Sequence, residues 1–597
     1  MLKYPYKHTT VGKSRPTDGQ LLRLTAPIRN GSKSYIMSES QKTDTSNIGL
    51  LFPTDSDRDA CRERENSPLS AYTASQLELD GMIDLKVSDL GSLFTDDPRI
   101  IAYRQDMFRD IEAHPELSDL LTSLVPLIGD ITELRRLSRD PSLSQEAYLY
   151  SITEIELYTS VLSMMKATFS SVGESVTSEA FRRIANVVRE LTDSEYYRDI
   201  NRKLEELTSR VREVKSVTIG VNLDSRLRAE SAGVLSLNND RFKSGQLIDK
   251  ILHLDFRSDE MTCIAPLTPY RRDQSENQQL ALNSALSSAL SDVFRSSVRS
   301  WRRVIQSYVL ENTDFLMRLL PEIEFVTKAA ELIRRLRDCG CTLTYPEIAP
   351  MEERNFAAAS LGNPAVALKL SAPVVPNDFS FDRDGMIYIL TGPNRGGKSV
   401  ITCAVGLAFA MFALGLPICA ESARISPCDA IFTHFPQGSL DTIDKGRLGE
   451  ECSRLEEIFG RITKYSLVLL DESFSSTGAY EAAAIAGEVL AGFSLAGCRV
   501  IFSTHLHELA SRTAELNERC SAMGGVRIDN LVAEADGEER SFKIVRRQPD
   551  GQSRAADIAR RYGLSFDVIR ERLAGRSELQ SSSDNTIDKR KDGSQDE

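Results

Sequence analysis

Two periodicities divide the chain. From about Leu69 to Cys339 apolar residues recur at three- and four-residue steps, as in AFRRIANVVRELTDSEYYRDINRKLEELTSRVREVK, where Phe181, Ile184, Val187, Val188 and Leu191 fall on one helical face. Glu and Lys/Arg fill the other faces. Glu205, Glu206, Arg210 and Arg212 stand at spacings that pair carboxylate with cation along long, partly solvated helices. The pattern predicts elongated helical arms over 49–340. Pro266, Pro269 and a polar cluster interrupt it within 255–279, so an outgoing helical set is expected to turn there into a returning one over about 281–337.

Near Thr342 the period changes. Short apolar, β-branched runs (MIYILTG, DAIFTHF, YSLVLLDE and CRVIFSTH) alternate with helical patterns opening at Lys398, Arg447, Tyr480 and His507. Such alternation predicts an α/β layer on a mostly parallel sheet over 341–576, preceded by a long all-α core and lever region. Polar segments at 1–48 and 577–597 have too little apolar content to join either part and are expected to be disordered.

At 597 residues the chain exceeds one hydrophobic core, which fits this division. Lys and Arg number 73 against 86 Asp and Glu, a net charge of −13, so nucleic acid could be held only by a local basic patch. Residues 1–36 carry seven Lys and Arg against the single acid Asp18. They read either as a transit peptide, which would place the protein in an organelle, or as an early start codon, with Met37 opening a polar terminus of a cytoplasmic, nucleoid-associated protein. The uncharged run Ile401–Ala420 is about as long as a membrane span, but what precedes it makes it a helix packed by a sheet, with no membrane partner. Cys339 and Cys341 are the one close cysteine pair, with neither a second pair nor His at zinc spacing, which reads as reduced thiols without a structural metal.

Chemistry concentrates after Met386. Gly392, Pro393, Asn394, Arg395, Gly396, Gly397, Lys398 and Ser399 fit the phosphate-loop pattern, with an apolar strand leading in and a helix leading out through Val400. The glycines permit backbone angles that turn amide N–H groups onto phosphate oxygens. Lys398 is expected to reach the β- and γ-phosphates of ATP and Ser399 to hold Mg²⁺. A second buried strand runs into Asp471, a metal-holding carboxylate, and Glu472, placed to orient or deprotonate the attacking water. A third ends at Thr504 and His505, whose imidazole would sense the γ-phosphate or hold the water. His507 reads as a helix-surface residue.

TGPNRGGKS at 391–399, YSLVLLDE at 465–472 and STHLHEL at 503–509 together resemble the MutS mismatch-repair ATPases. The resemblance extends to PVVPNDFSF, where Asn377 matches the family Asn that approaches the nucleotide base, and to 553–573, similar to the family's dimerising helix-turn-helix. YRQDMFRDI at 103–111 and VTIGVNLD at 217–224 resemble the MutS-like branch that lacks a mismatch-reading domain. The resemblance implies an ABC-type P-loop ATPase domain, a homodimer or paralogous heterodimer, and movement of DNA-holding arms when ATP closes the dimer.

Two departures bear on function. None of the 23 Phe is followed two residues later by Glu, so the family's mismatch wedge is missing and branched DNA is expected to compete with ordinary double-stranded DNA. DTIDKGRLGEE at 441–451 lacks the family's Ser-Thr pair, which leaves a nucleotide-binding switch with little hydrolysis as the alternative to an active ATPase. A transporter-coupled cassette ATPase is disfavoured because no LSGGQ-like signature occurs. Arg295, Arg299 and Arg302 share one helical face beside Trp301 and Arg303, which reads as a solvated face or as a stripe for DNA phosphates.

Overall fold

The computed structural model describes residues 45, 47–64, 68–138, 147–195, 197–202, 204, 216–223, 225, 229–238, 243–244, 262–263, 314–393, 396–435, 446–536, 539–549 and 562–574. The 1–44 segment, the break at 264–279, the arginine stripe at 295–303 and the tail after 574 lie outside the described residues.

Helices α1 (Pro98–Ala113), α2 (Pro115–Ser138), α3 (Ala147–Val172), α4 (Glu179–Asp193) and α5 (Asp314–Asp338) carry the N-terminal part. Asp97 caps α1 by accepting from the Arg99 N–H, with Pro98 in the first turn, and Ser178 caps α4 at the Phe181 N–H. On α2, Leu117, Leu120, Leu121, Leu124, Ile128 and Ile131 are buried, and this stripe packs on α3 and α5. On α4, Phe181, Ile184, Val188 and Leu191 are buried and Val187 is half-buried, in agreement with the periodicity.

The region is not all-α. Strands β1 (Ser216–Leu223) and β2 (Ala229–Asn238) pair antiparallel as a hairpin, and Lys243–Ser244 pairs in parallel with Thr262–Cys263. Val217, Ile219 and Val221 alternate at a period of two, but over eight residues, too few to stand out from the helical pattern around them.

A strap at 48–52 is fastened to the helices by buried polar groups. Glu322 of α5, 2% exposed, accepts from the N–H groups of Leu50 (2.7 Å) and Leu51 (2.9 Å), and burial raises its pKa. Tyr103 of α1 donates to the Gly49 carbonyl at 2.7 Å. Arg104, fully buried, gives Nε to the Leu51 carbonyl (2.9 Å) and Nη1 to the carbonyls of Leu93 (2.5 Å) and Ala413 (3.3 Å), its guanidinium lying over the Phe52 ring. The Ala413 carbonyl belongs to the α/β part, so one side chain joins three segments far apart in sequence.

The α/β part follows as β3 (Glu347–Ile348), β4 (Phe356–Leu361), β5 (Asn377–Phe381), β6 (Ile387–Thr391), α6 (Lys398–Ala413), β7 (Ser422–Ile425), β8 (Ile431–His434), α7 (Arg447–Phe459), β9 (Leu467–Asp471), α8 (Ala479–Ala496), β10 (Arg499–Ser503), α9 (His507–Ser511), β11 (Ile528–Asp536) and β12 (Glu539–Arg546). One sheet has the order β8-β9-β10-β6-β11-β12, with every pairing parallel except β11 with β12. A second, mainly antiparallel sheet has the order β3-β7-β4-β5.

The six-stranded sheet is covered on both faces. Leu467 and Leu469 of β9 join the core that contains α6, whereas Val468 and Leu470 join the core that contains α8. Burial on two faces is why these strands read as continuous apolar runs. The apolar stretch after the glycine-rich loop is the 16-residue helix α6, buried from Ile401 onward apart from the half-buried Cys403, and followed by a strand at Ile418–Cys419. Among the described residues α8 is long and apolar enough to cross a membrane, and it packs against the sheet through Ala482, Ala483, Ala486, Leu490 and Phe493.

Candidate functional site at the carboxyl ends of the parallel strands

β6 lies between β10 and β11, so the chain leaves it where the strand order reverses. That crevice is where open α/β sheets bind ligands. The loop following β6 is shaped by two glycines. Gly392 has φ +143, and a Cβ there would fall 2.7 Å from the Ala533 Cβ; Gly397, at φ +93, opens α6. Lys398, 5% exposed, turns back along the loop and donates to the carbonyls of Gly392 (3.1 Å) and Pro393 (3.3 Å). Burial lowers its pKa, opposed by the charges of Glu472 and Asp471. Ser399 and Val400 are exposed on the first turn of α6, and Asn394 and Arg395 lie outside the described residues.

Parallel register brings the other groups to the same edge. Asp471 at the end of β9 pairs with Ser503 at the end of β10, which places Glu472 and His505 beyond the two strand ends. Glu472 Oε1 stands 2.9 Å from His505 Nε2, and that nitrogen also lies 3.3 Å from Lys398 Nζ. A neutral Nε2 can donate to Glu472 or accept from Lys398, but not both. The ring therefore has two competing partners. Thr391 Oγ1, Asp471 Oδ1 and Ser503 Oγ, at the ends of the adjacent strands β6, β9 and β10, are buried without a hydrogen-bond partner among the described residues. Each such group costs about 1–3 kcal/mol where neither water nor ligand meets it, so these three are groups that a polar ligand at the strand ends would satisfy.

Asn377 opens β5 with its side chain turned to main-chain groups. Its amide donates to the Phe542 carbonyl (3.1 Å) and weakly to that of Val375 (3.4 Å), and its Oδ1 accepts from the Ile544 N–H at 2.8 Å. The side chain is committed to the main chain and clamps β12 to β5. His507 is half-buried rather than a surface residue; its Nδ1 is buried without a partner among the described residues, and burial, then His505 and Lys398, lower its pKa.

Sequence reasoning missed His434, at the buried end of β8. Its Nδ1 lies 2.7 Å from Ser473 Oγ, immediately after Glu472. Burial, with Arg454 nearby, pushes its pKa down to about 4, so the ring is neutral near pH 7. An isolated His in FTHF carries no local signal, because its partner is 39 residues away. Arg499 is a second omission. Fully buried on β10, it bonds the carbonyls of Ser426, Pro427 and Tyr465 and lies over the Phe409 ring.

Comparison with known proteins agrees with this arrangement. Residues 388–573 match MutS domain V and residues 96–339 match the MutS2 N-terminal domain. The DNA mismatch repair protein MutS of Lactobacillus delbrueckii subsp. bulgaricus is 29% identical over 280 residues, 44% of this chain and 32% of that protein. Those of Chlorobium chlorochromatii (31% over 267 residues, 43% and 29%) and Acetivibrio thermocellus (36% over 201 residues, 33% and 22%) are similar in the same way. The match thus spans no more than a third of these relatives' own length. With an ATPase-type domain V at the carboxyl end and a MutS2-type N-terminal region before it, the chain belongs to the MutS family.

Proposed function

We propose that the chain is a DNA-binding ATPase that hydrolyses ATP to ADP and phosphate and works as a dimer whose helical arms move with the nucleotide state. The observation that carries this reading is the meeting of Lys398, Glu472 and His505 beside three unpartnered polar atoms at adjacent strand ends. The loop 392–397 acts as a phosphate loop. Lys398, now folded onto two carbonyls, exchanges them for the β- and γ-phosphate oxygens, which frees His505 Nε2 from its second partner. Glu472 accepts a proton from the attacking water. The water oxygen bonds to the γ-phosphorus as the bond from that phosphorus to the bridging oxygen breaks. His505 steadies the water and the γ-phosphate.

The unpartnered Asp471 oxygen and the exposed Ser399 hydroxyl fit Mg²⁺, which when bound neutralises charge on the phosphates. Asn377 serves this site indirectly, by fixing β12 beside the loop. A second reading, a nucleotide-binding switch that turns over little, draws support from the missing Ser-Thr pair in 441–451, of which 441–445 lies outside the described residues. Steady-state phosphate release with and without duplex DNA separates the two. Turnover that DNA changes supports the ATPase, and tight ATP binding without turnover supports the switch. Because no Phe-x-Glu wedge is present, matched and singly mismatched duplexes are proposed to bind alike, with branched DNA preferred.

A further inference from the structure

The turn that carries Glu472 has an unusual backbone. Glu472 and Phe474 both have positive φ, +47° and +65°, in the left-handed region that side chains disfavour. Two such residues flanking one position persist only where their surroundings over-determine the turn. Three contacts do so. The Glu472 N–H donates to the Ser503 carbonyl at 2.8 Å, which ties the turn to β10. Ser473 is held through its hydroxyl by His434 of β8. The Phe474 N–H donates to Oε2 of Glu451 at 2.6 Å, and Glu451 stands on α7, an element that supplies none of the site groups described above.

Phe474 is 1% exposed, and removal of Glu451 takes away the acceptor of its N–H. The Phe474 ring is buried in the α8-side core, which anchors the far end of the turn while Glu451 fixes its backbone. Freed of that bond, residues 472–474 can relax toward negative φ. The Glu472 carboxylate, held 2.9 Å from His505 by the left-handed geometry, would then swing off its mark.

We propose that Glu451 is a positioning residue, which through the Phe474 N–H holds the left-handed turn that aims Glu472 at the site. The inference rests on the reading of Glu472 as the group that takes the proton of the attacking water. It gives α7, which opens within the segment lacking the Ser-Thr pair, a mechanical hold on the hydrolytic carboxylate without any contact to nucleotide.

The test compares Glu451→Ala, Glu451→Gln and Glu472→Gln in the full chain, by steady-state phosphate release and by ATP affinity from titration calorimetry. Glu451→Ala should lower kcat about 10- to 100-fold with ATP affinity unchanged, the size expected of a misplaced catalytic group. Glu451→Gln, whose amide oxygen still accepts from Phe474, should restore most of the rate. If Glu451→Ala does not fold, Glu451→Asp, whose carboxylate stops one methylene short, replaces it with the same expectation. A wild-type rate in the Ala or Asp protein, an equal loss of ATP affinity, or a Gln protein as slow as the Ala protein overturns the inference. Turnover in Glu472→Gln overturns the reading of Glu472 and the inference with it, whereas an inert Glu472→Gln beside an active Glu451→Ala overturns the inference alone.

Discussion

Glu472 and His505 leave the ends of two neighbouring parallel strands and meet at 2.9 Å. Neither is near the other in sequence. The register of Asp471 against Ser503 brings them together, and Lys398 approaches the same imidazole nitrogen from the other side. Carboxylate, imidazole and amine thus share one nitrogen, an arrangement that a phosphate group entering the loop would rearrange.

Removing the amine should therefore separate binding from chemistry. Lys398→Ala is expected to abolish tight ATP binding, and Glu472→Gln to bind ATP and stop hydrolysis. Calorimetry and phosphate release on the two variants check this, and wild-type turnover in Glu472→Gln would take the water-orienting role away from that residue.

Asn377→Ala should cost about 1–3 kcal/mol of stability, because the buried N–H of Ile544 loses its acceptor along with the bond to the Phe542 carbonyl. Urea unfolding measures it. An unchanged midpoint would mean that β12 is held to β5 by something else.

His434 makes stability depend on pH in a defined direction. Its ring is held neutral in the fold, with a pKa near 4 against 6.5 for a free imidazole, chiefly by burial. As pH falls from about 6.5 to about 4 the unfolded chain takes up a proton that the folded chain does not, so stability is lost across that window, by on the order of 3 kcal/mol in all. In His434→Gln that part of the slope should vanish. Parallel curves for the two proteins would place the titration elsewhere.

The described end of the chain displays Tyr562 (73% exposed), Leu564, Phe566 (76%), Ile569 and Leu573. So many exposed apolar side chains in 12 residues suit a covered interface. Deleting 553–573 should yield monomers by light scattering and lower the ATPase rate, and a deletion that changes neither would remove the dimer from the proposed function.

The parallel strands and the glycine-rich loop were legible because both depend on local pattern: burial on two faces writes a continuous apolar run, and a tight loop before a helix writes its glycines. The hairpin β1–β2 was obscured by the helical sequence around it. Arg104, Arg499, Glu322 and His434 left no trace in the sequence, since each is explained by carbonyls, amides or hydroxyls supplied from distant segments. The bonds of Asn377 to β12 were likewise not legible, because spacing places a polar residue near a site but does not say which main-chain groups its atoms meet.

Arg104 limits how the molecule can be divided. Its guanidinium cannot shed its charge near neutral pH, and its acceptors come from the strap, from the end of a short helix at Leu93 and from the end of α6. A fragment beginning near residue 341 would leave the Ala413 carbonyl without this donor and bare the surface that the strap and α1 now cover. The complementary fragment would bury a cation short of one acceptor. Genetic dissection at the boundary between the helical and α/β parts should therefore give two poorly soluble pieces, and co-expression of the pieces should recover a soluble complex joined through this side chain.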